Sequence, residues 1–245
     1  MTASVPALGL LHTARSNRDR FGALLRETAP PGVTWIHNVR EELLRDALDD
    51  VAEARQTAAI SAALAELHAS GAAQVLCTCS SIGRLAELVG GRLGLPTLRV
   101  DRPMAERAVA QGRHILVVAC LPSTLVPTSA LLREVAAAGD RQVEIETMFL
   151  PSAWRLFQDG DEAGFARAVA EAILDSTLTV DAVVLAQASM APVADLLSRL
   201  TVPVLTSPRL GIAAALSRLT GGRMDAERSR QNGKGSKNGE DGRHA

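Results

Sequence analysis

The sequence predicts an α/β fold of parallel sheets covered by helices, and three observations lead there. Short Val-, Ile- and Leu-rich runs alternate with longer helical patterns along most of the chain. The runs lack strict apolar–polar alternation, as expected for strands covered on both faces. The repeated strand–helix–strand order implies right-handed parallel crossovers. A chain of 245 residues suffices for one large α/β domain or two small lobes packed together. Apolar residues make up 47% of it and aromatic ones only 2%, with no Tyr, so the core must be mostly Ala, Leu and Val. Such a core suits close helix-on-sheet packing and supplies no stacking platform for single-stranded nucleic acid.

Taken in order, strands are expected over 8–13, 34–39, 74–78, 97–100, 114–120, 143–149, 182–186 and 204–206, each an apolar run bounded by turn residues. Between them, amphipathic periodicity predicts helices over 15–28, 41–70, 82–93, 104–111, 128–138, 163–176, 193–200 and 209–219. Pro30-Pro31-Gly32 ends the first helix and turns into the second strand. Gly71, Gly112 and Gly139 each follow a helical run, where a C-terminal cap belongs. From 221 to 245 the chain is polar and Gly-rich, with six basic and four acidic residues, and reads as a disordered, solubilising tail.

Other classes of protein are excluded or disfavoured by composition. The formal net charge of −1 gives no global field toward nucleic acid or a membrane surface. Cys77, Cys79 and Cys120 form no C-x-x-C pair and have no His at metal-ligand spacing, so neither a disulfide framework nor a metal site is expected. Free thiols, no signal peptide and no apolar span of ~20 residues point to the cytoplasm. The chain also hints at duplication. Cys79 follows His12 by 67 residues, and Gln187 follows Cys120 by the same 67. Each falls where a strand gives way to small residues and then a helix, so two similar lobes related by a pseudo-twofold axis would set these turns across one cleft.

The segment Val75-Leu76-Cys77-Thr78-Cys79-Ser80-Ser81-Ile82-Gly83 carries the strongest chemical signal. Ligands of parallel sheets bind beyond the carboxyl ends of the strands. A helix N-terminus there favours an anion. A thiol at Cys79 is placed to act in that field, and Ser80 and Ser81 offer hydroxyl donors to a carboxylate or oxyanion. On spacing alone, the same residues read equally well as small core cysteines and a helix cap. His12 ends a strand in the first loop, where it can reach a substrate. Ser189 fits either a helix cap or a substrate contact.

This segment resembles the first-cysteine motif of the aspartate/glutamate/hydantoin racemase superfamily, with Cys79-Ser80-Ser81 as the match. Gly9-Leu10-Leu11-His12-Thr13 is similar to that family's first strand and substrate loop, and Asp101-Arg102-Pro103-Met104 to its helix start after the fourth strand. Val117-Val118-Ala119-Cys120-Leu121-Pro122-Ser123-Thr124 resembles the strand that opens the second lobe. Ser207-Pro208-Arg209 resembles the return to the first. The resemblance spans residues 7–218. It implies two pseudo-twofold lobes, 1–100 plus 205–220 and 101–204, with the active site in the cleft between them. It further implies no cofactor, Cys79 as the catalytic thiol, a homodimer, and a small carboxylic acid bound by His12, Thr13, Ser80, Ser81, Thr124, Gln187 and Ser189.

One departure matters. Two-base members carry a second cysteine at the end of the second lobe's strand, and here that strand reads Val183-Val184-Leu185-Ala186-Gln187. An amide only hydrogen-bonds; it cannot relay the Cα proton. Cys120 is either a relocated acid or a plain core residue. The expectation is therefore a single-thiol enzyme, a racemase, isomerase or decarboxylase similar to the arylmalonate decarboxylases and maleate isomerases of the superfamily. The alternative is a non-catalytic carboxylate-binding protein on the same fold.

Overall fold

The computed structural model describes the backbone of residues 6–49 and 52–235, and side chains through 221. Its elements run β1 (Ala7–His12), α1 (Arg15–Thr28), β2 (Thr34–Val39), α2 (Glu41–Leu48), α3 (Glu53–Ala69), β3 (Ala72–Cys77), α4 (Ser80–Arg92), β4 (Thr97–Arg99) and α5 (Arg102–Gln111). They continue with β5 (His114–Ala119), α6 (Pro122–Ala138), β6 (Glu144–Phe149), α7 (Pro151–Gln158), α8 (Glu162–Leu174), β7 (Ala182–Leu185), a 3₁₀ turn (Ala188–Met190), α9 (Val193–Leu196), β8 (Val204–Thr206) and α10 (Ser207–Gly235). Among the described residues, no helix is long and apolar enough to cross a membrane.

The strands form two four-stranded parallel sheets with orders β2-β1-β3-β4 and β6-β5-β7-β8. The second order is the first shifted by four strands, which gives the 67-residue repeat a structural basis. Both central strands of each sheet are covered on two sides, hence their largely apolar sequences. In the first sheet, Leu11, Val75 and Cys77 pack with α3 and α4, while Leu8, Leu10 and Leu76 pack with α1 and α10. In the second, Leu116, Val118 and Val183 pack with α8, and Ile115, Val117 and Val184 with α5 and α6. Helix α10 returns to the first sheet by a close approach. A Cβ at Gly211 would stand 2.7 Å from a Val100 methyl and 2.8 Å from the Val100 carbonyl oxygen, so glycine is needed there.

Several features differ from the sequence expectation, among them the start of α6, which lies at Pro122 rather than 128. The pattern over 41–70 is two helices, with Asp49 closing α2 and Ala52 opening α3; Asp is among the weaker helix formers and sits at this break. The stretch Pro151–Gln158 forms α7, too short for its periodicity to register against the Pro that starts it. Strand β8 lies wholly in the second sheet, so the chain returns to the first at Ser207 rather than at 205. The segment read as a tail is helical as far as Gly235, because an established helix propagates through residues such as Ala226, Glu227 and Arg228 far more easily than it nucleates. The last part of that expected tail, 236–245, lies outside the described residues.

Candidate active site

The carboxyl ends of both sheets open onto one cleft of about 180 Å³. The loops after β1, β3, β5, β7 and β8 all contribute, so the starts of α1, α4, α6, the 3₁₀ turn and α10 converge there. Convergent helix starts supply unpaired N–H groups and positive dipole ends, which suits an anionic ligand.

Seven of the eight expected site residues line this cleft: Thr13, Cys79, Ser80, Ser81, Thr124, Gln187 and Ser189. Cys79 is the N-cap residue of α4, in extended conformation (φ −122°, ψ 118°), and its side chain makes no capping hydrogen bond. The other two thiols are elsewhere. Cys77 is fully buried, its thiol donating to the Cys79 carbonyl oxygen at 3.6 Å, and burial pushes its pKa upward. Cys120 is packed in the core beneath α8, and burial pushes its thiol up to about 12. Of the three cysteines, Cys79 alone lines the cleft. The geometry therefore favours the core reading of Cys120 over a relocated acid.

Gln187 faces the same cleft from the end of β7. Its Oε1 accepts the Cys120 backbone N–H at 2.6 Å, which fixes the amide's orientation and leaves its NH₂ as the outward group. Ser81 differs from its expected role as a donor. Its hydroxyl donates to the Ser123 carbonyl oxygen across the cleft at 2.8 Å. That carbonyl is available because Pro127, the residue that would cap it within α6, has no N–H. The proline thus frees a bond that ties α4 to α6. Ser123 and Ser207, which the sequence reading names only within longer motifs, line the cleft, and their buried Oγ atoms have no hydrogen-bond partner in the protein. Both can serve a polar group of a ligand. Ser16, Asn17, Leu44, Trp154 and Phe157 complete the part that sequence reading missed.

His12 is not in the cleft. It is fully buried on the other side of β1, 5.9 Å from the Phe21 ring, with Nδ1 2.8 Å from Thr78 Oγ1 and Nε2 2.9 Å from His37 Nδ1. Burial, with His37 and Arg18 adding to it, pushes its pKa down to about 3. His12 therefore stays neutral and braces the residue before Cys79. Its folded value lies below its unfolded value, so the unfolded chain binds the extra proton. Stability is fully present above about pH 6.5 and is lost as pH falls toward 3. Between pH 7 and 4.5 this one group is expected to cost about 2–3 kcal/mol. Urea unfolding at the two pH values checks the loss, and the His12→Asn protein should show a shallower pH dependence.

The chain matches the Asp/Glu/hydantoin racemase family over residues 18–215, and it belongs to that family. Solved structures show the same fold. The aspartate racemase of Picrophilus torridus is 13% identical, with a TM-score of 0.67 over 88% of this chain and 94% of that one. An allantoin racemase from Pseudomonas fluorescens is 16% identical, with a TM-score of 0.54 over 89% and 92%. An arylmalonate decarboxylase is 17% identical, with a TM-score of 0.57 over 89% and 93%. Compared by sequence with curated proteins, the chain matches none.

Proposed function

We propose that this protein is a cofactor-independent enzyme that moves a proton at the carbon next to a carboxylate, with Cys79 as its one acid–base group. The observation that carries the reading is that Cys79 is the single thiol lining the cleft, with an amide, Gln187, across from it. Similarity to racemases and to a decarboxylase supports this class of chemistry.

The substrate carboxylate is held by the helix starts and by the hydroxyls of Ser80, Ser123, Thr124 and Ser207. As thiolate, Cys79 takes the Cα proton, and the electron pair passes into the carboxylate as an enediolate. While the enediolate persists, solvent exchanges the proton on sulfur, and the thiol then returns this solvent-derived proton to the same face. In the decarboxylating variant, a C–C bond breaks, CO₂ leaves, and its electron pair forms the same enediolate, which Cys79 protonates. Solvent then replaces the proton on sulfur. Both routes need one acid on one face. Incubating small carboxylic acids in D₂O with the protein should place deuterium at Cα. The Cys79→Ala protein should lose this by a factor of at least about 10² while melting at an unchanged temperature. Exchange retained in that variant refutes the assignment.

The alternative of a carboxylate-binding protein rests on Gln187. It predicts that wild type and Cys79→Ala bind the same acids equally well and that neither exchanges their Cα protons.

A further inference from the structure

The lining of the cleft bears on which acid it accepts. Among the described lining residues, none is charged. The polar groups are hydroxyls, the amides of Asn17 and Gln187, an indole N–H and a thiol, and two buried hydroxyls among them, Ser123 and Ser207, lack protein partners. These groups and the helix starts can satisfy one carboxylate. A second carboxylate would lose its water without meeting a cation, which is costly.

One wall is aromatic. Trp154 and Phe157 of α7 line the cleft, their rings stacked at 4.8 Å and 21°, with Phe165 behind at 5.4 Å from Phe157. The whole chain has four Phe and two Trp, so half of its aromatic residues stand in this cluster. Elsewhere the buried core is mainly aliphatic, with Phe21 beside β1 as its other fully buried phenyl ring. Helix α7 follows β6 as α2 follows β2, and α2 contributes Leu44 to the same cleft. The two lobes thus bring matching elements to the site, and the second makes its element aromatic. A dry cavity of about 150 Å³ accommodates benzene, so about 180 Å³ open on one side admits a ring together with a carboxylate.

We propose that the cleft selects carboxylic acids carrying one negative charge and an apolar, ring-sized substituent on the reacting carbon, disfavours dicarboxylates, and uses Trp154 and Phe157 as its specificity-determining residues. This rests on the proton-transfer reading in placing the reacting carbon at Cys79, and it favours the exchange route over the decarboxylating one, whose substrate carries a second carboxylate on that carbon.

The test is protection of Cys79 from iodoacetamide, read by mass spectrometry of the Cys79 peptide, with phenylacetate, acetate and succinate as probes. Phenylacetate should protect at a concentration at least about tenfold below that of succinate. Trp154→Leu and Phe157→Leu should each raise the phenylacetate requirement about tenfold and change that of acetate less than about twofold. Thermal melts identify any variant that is misfolded, and two variants guard against the loss of one. Protection by succinate at or below the phenylacetate concentration overturns the selectivity and leaves the carboxylate reading standing. Unchanged phenylacetate protection in both folded variants overturns the role of the wall. No protection by any of the three acids overturns the site reading and this proposal together.

Discussion

Asp101→Ala is expected to destabilise the protein by about 3–5 kcal/mol, which lowers the melting temperature by roughly 10 °C for a chain of this size. Arg99 and Asp101 form a bidentate pair, Nε to Oδ1 at 2.7 Å and Nη2 to Oδ2 at 2.9 Å, with 2% and 0% of their side chains exposed. Removing the carboxylate leaves a guanidinium buried without its counter-charge, and that desolvation is what the variant pays. The pair also touches the site. Gly83, in the first turns of α4, lies directly on Arg99, where an added Cβ would come within 2.9 Å of the Arg99 Cβ. The Arg99 backbone N–H donates to Glu87 of the same helix at 3.1 Å. Collapse of this contact shifts the helix that Cys79 caps, so activity should fall along with stability. The double variant Arg99→Met, Asp101→Leu removes both charges and should recover most of the stability. A double variant as unstable as Asp101→Ala would show that shape, rather than the orphaned charge, sets the cost.

Gln187→Cys is expected to create racemisation where the wild type has little, by a factor of at least about 10². A thiol at the end of β7 stands on the opposite lobe from Cys79, across the cleft that both residues line. One thiol then removes the Cα proton and the other returns it from the opposite face. The substitution has a cost, since the Cys120 N–H loses its acceptor, and a buried unpaired donor is worth about 1–3 kcal/mol. The gain should therefore appear as racemisation by a somewhat less stable protein. Chiral chromatography of an enantiopure acid incubated with each protein measures it. A variant that exchanges deuterium but still retains configuration would mean that the thiol at 187 does not reach the far face.

Residues could be located from the sequence where the position along a strand decides which edge they reach, and could not where the side-chain direction decides it. Cys79, Thr124 and Gln187 follow strand ends, and every strand end of a parallel sheet points to the same edge. His12 fails on parity. Leu8, Leu10 and His12 share one face of β1, against Phe21 and Leu25 of α1, while Thr13 beyond the strand's end reaches the cleft. Because β1 is buried on both faces, its sequence carries no alternation to show which face is which. The Ser81–Ser123 bond was equally hidden, since it depends on a proline four residues along another helix. Trp154 and Phe157 went unread because eight residues of α7 give scarcely two turns of period.

The proposed mechanism uses a single thiol on one face of its substrate. The most direct test is a time course of wild-type protein in D₂O with enantiopure small carboxylic acids, following deuterium at Cα and configuration together. Deuterium should enter at Cα while the configuration is retained. Racemisation at the rate of deuteration would contradict this mechanism, because it would require a second acid where Gln187 stands.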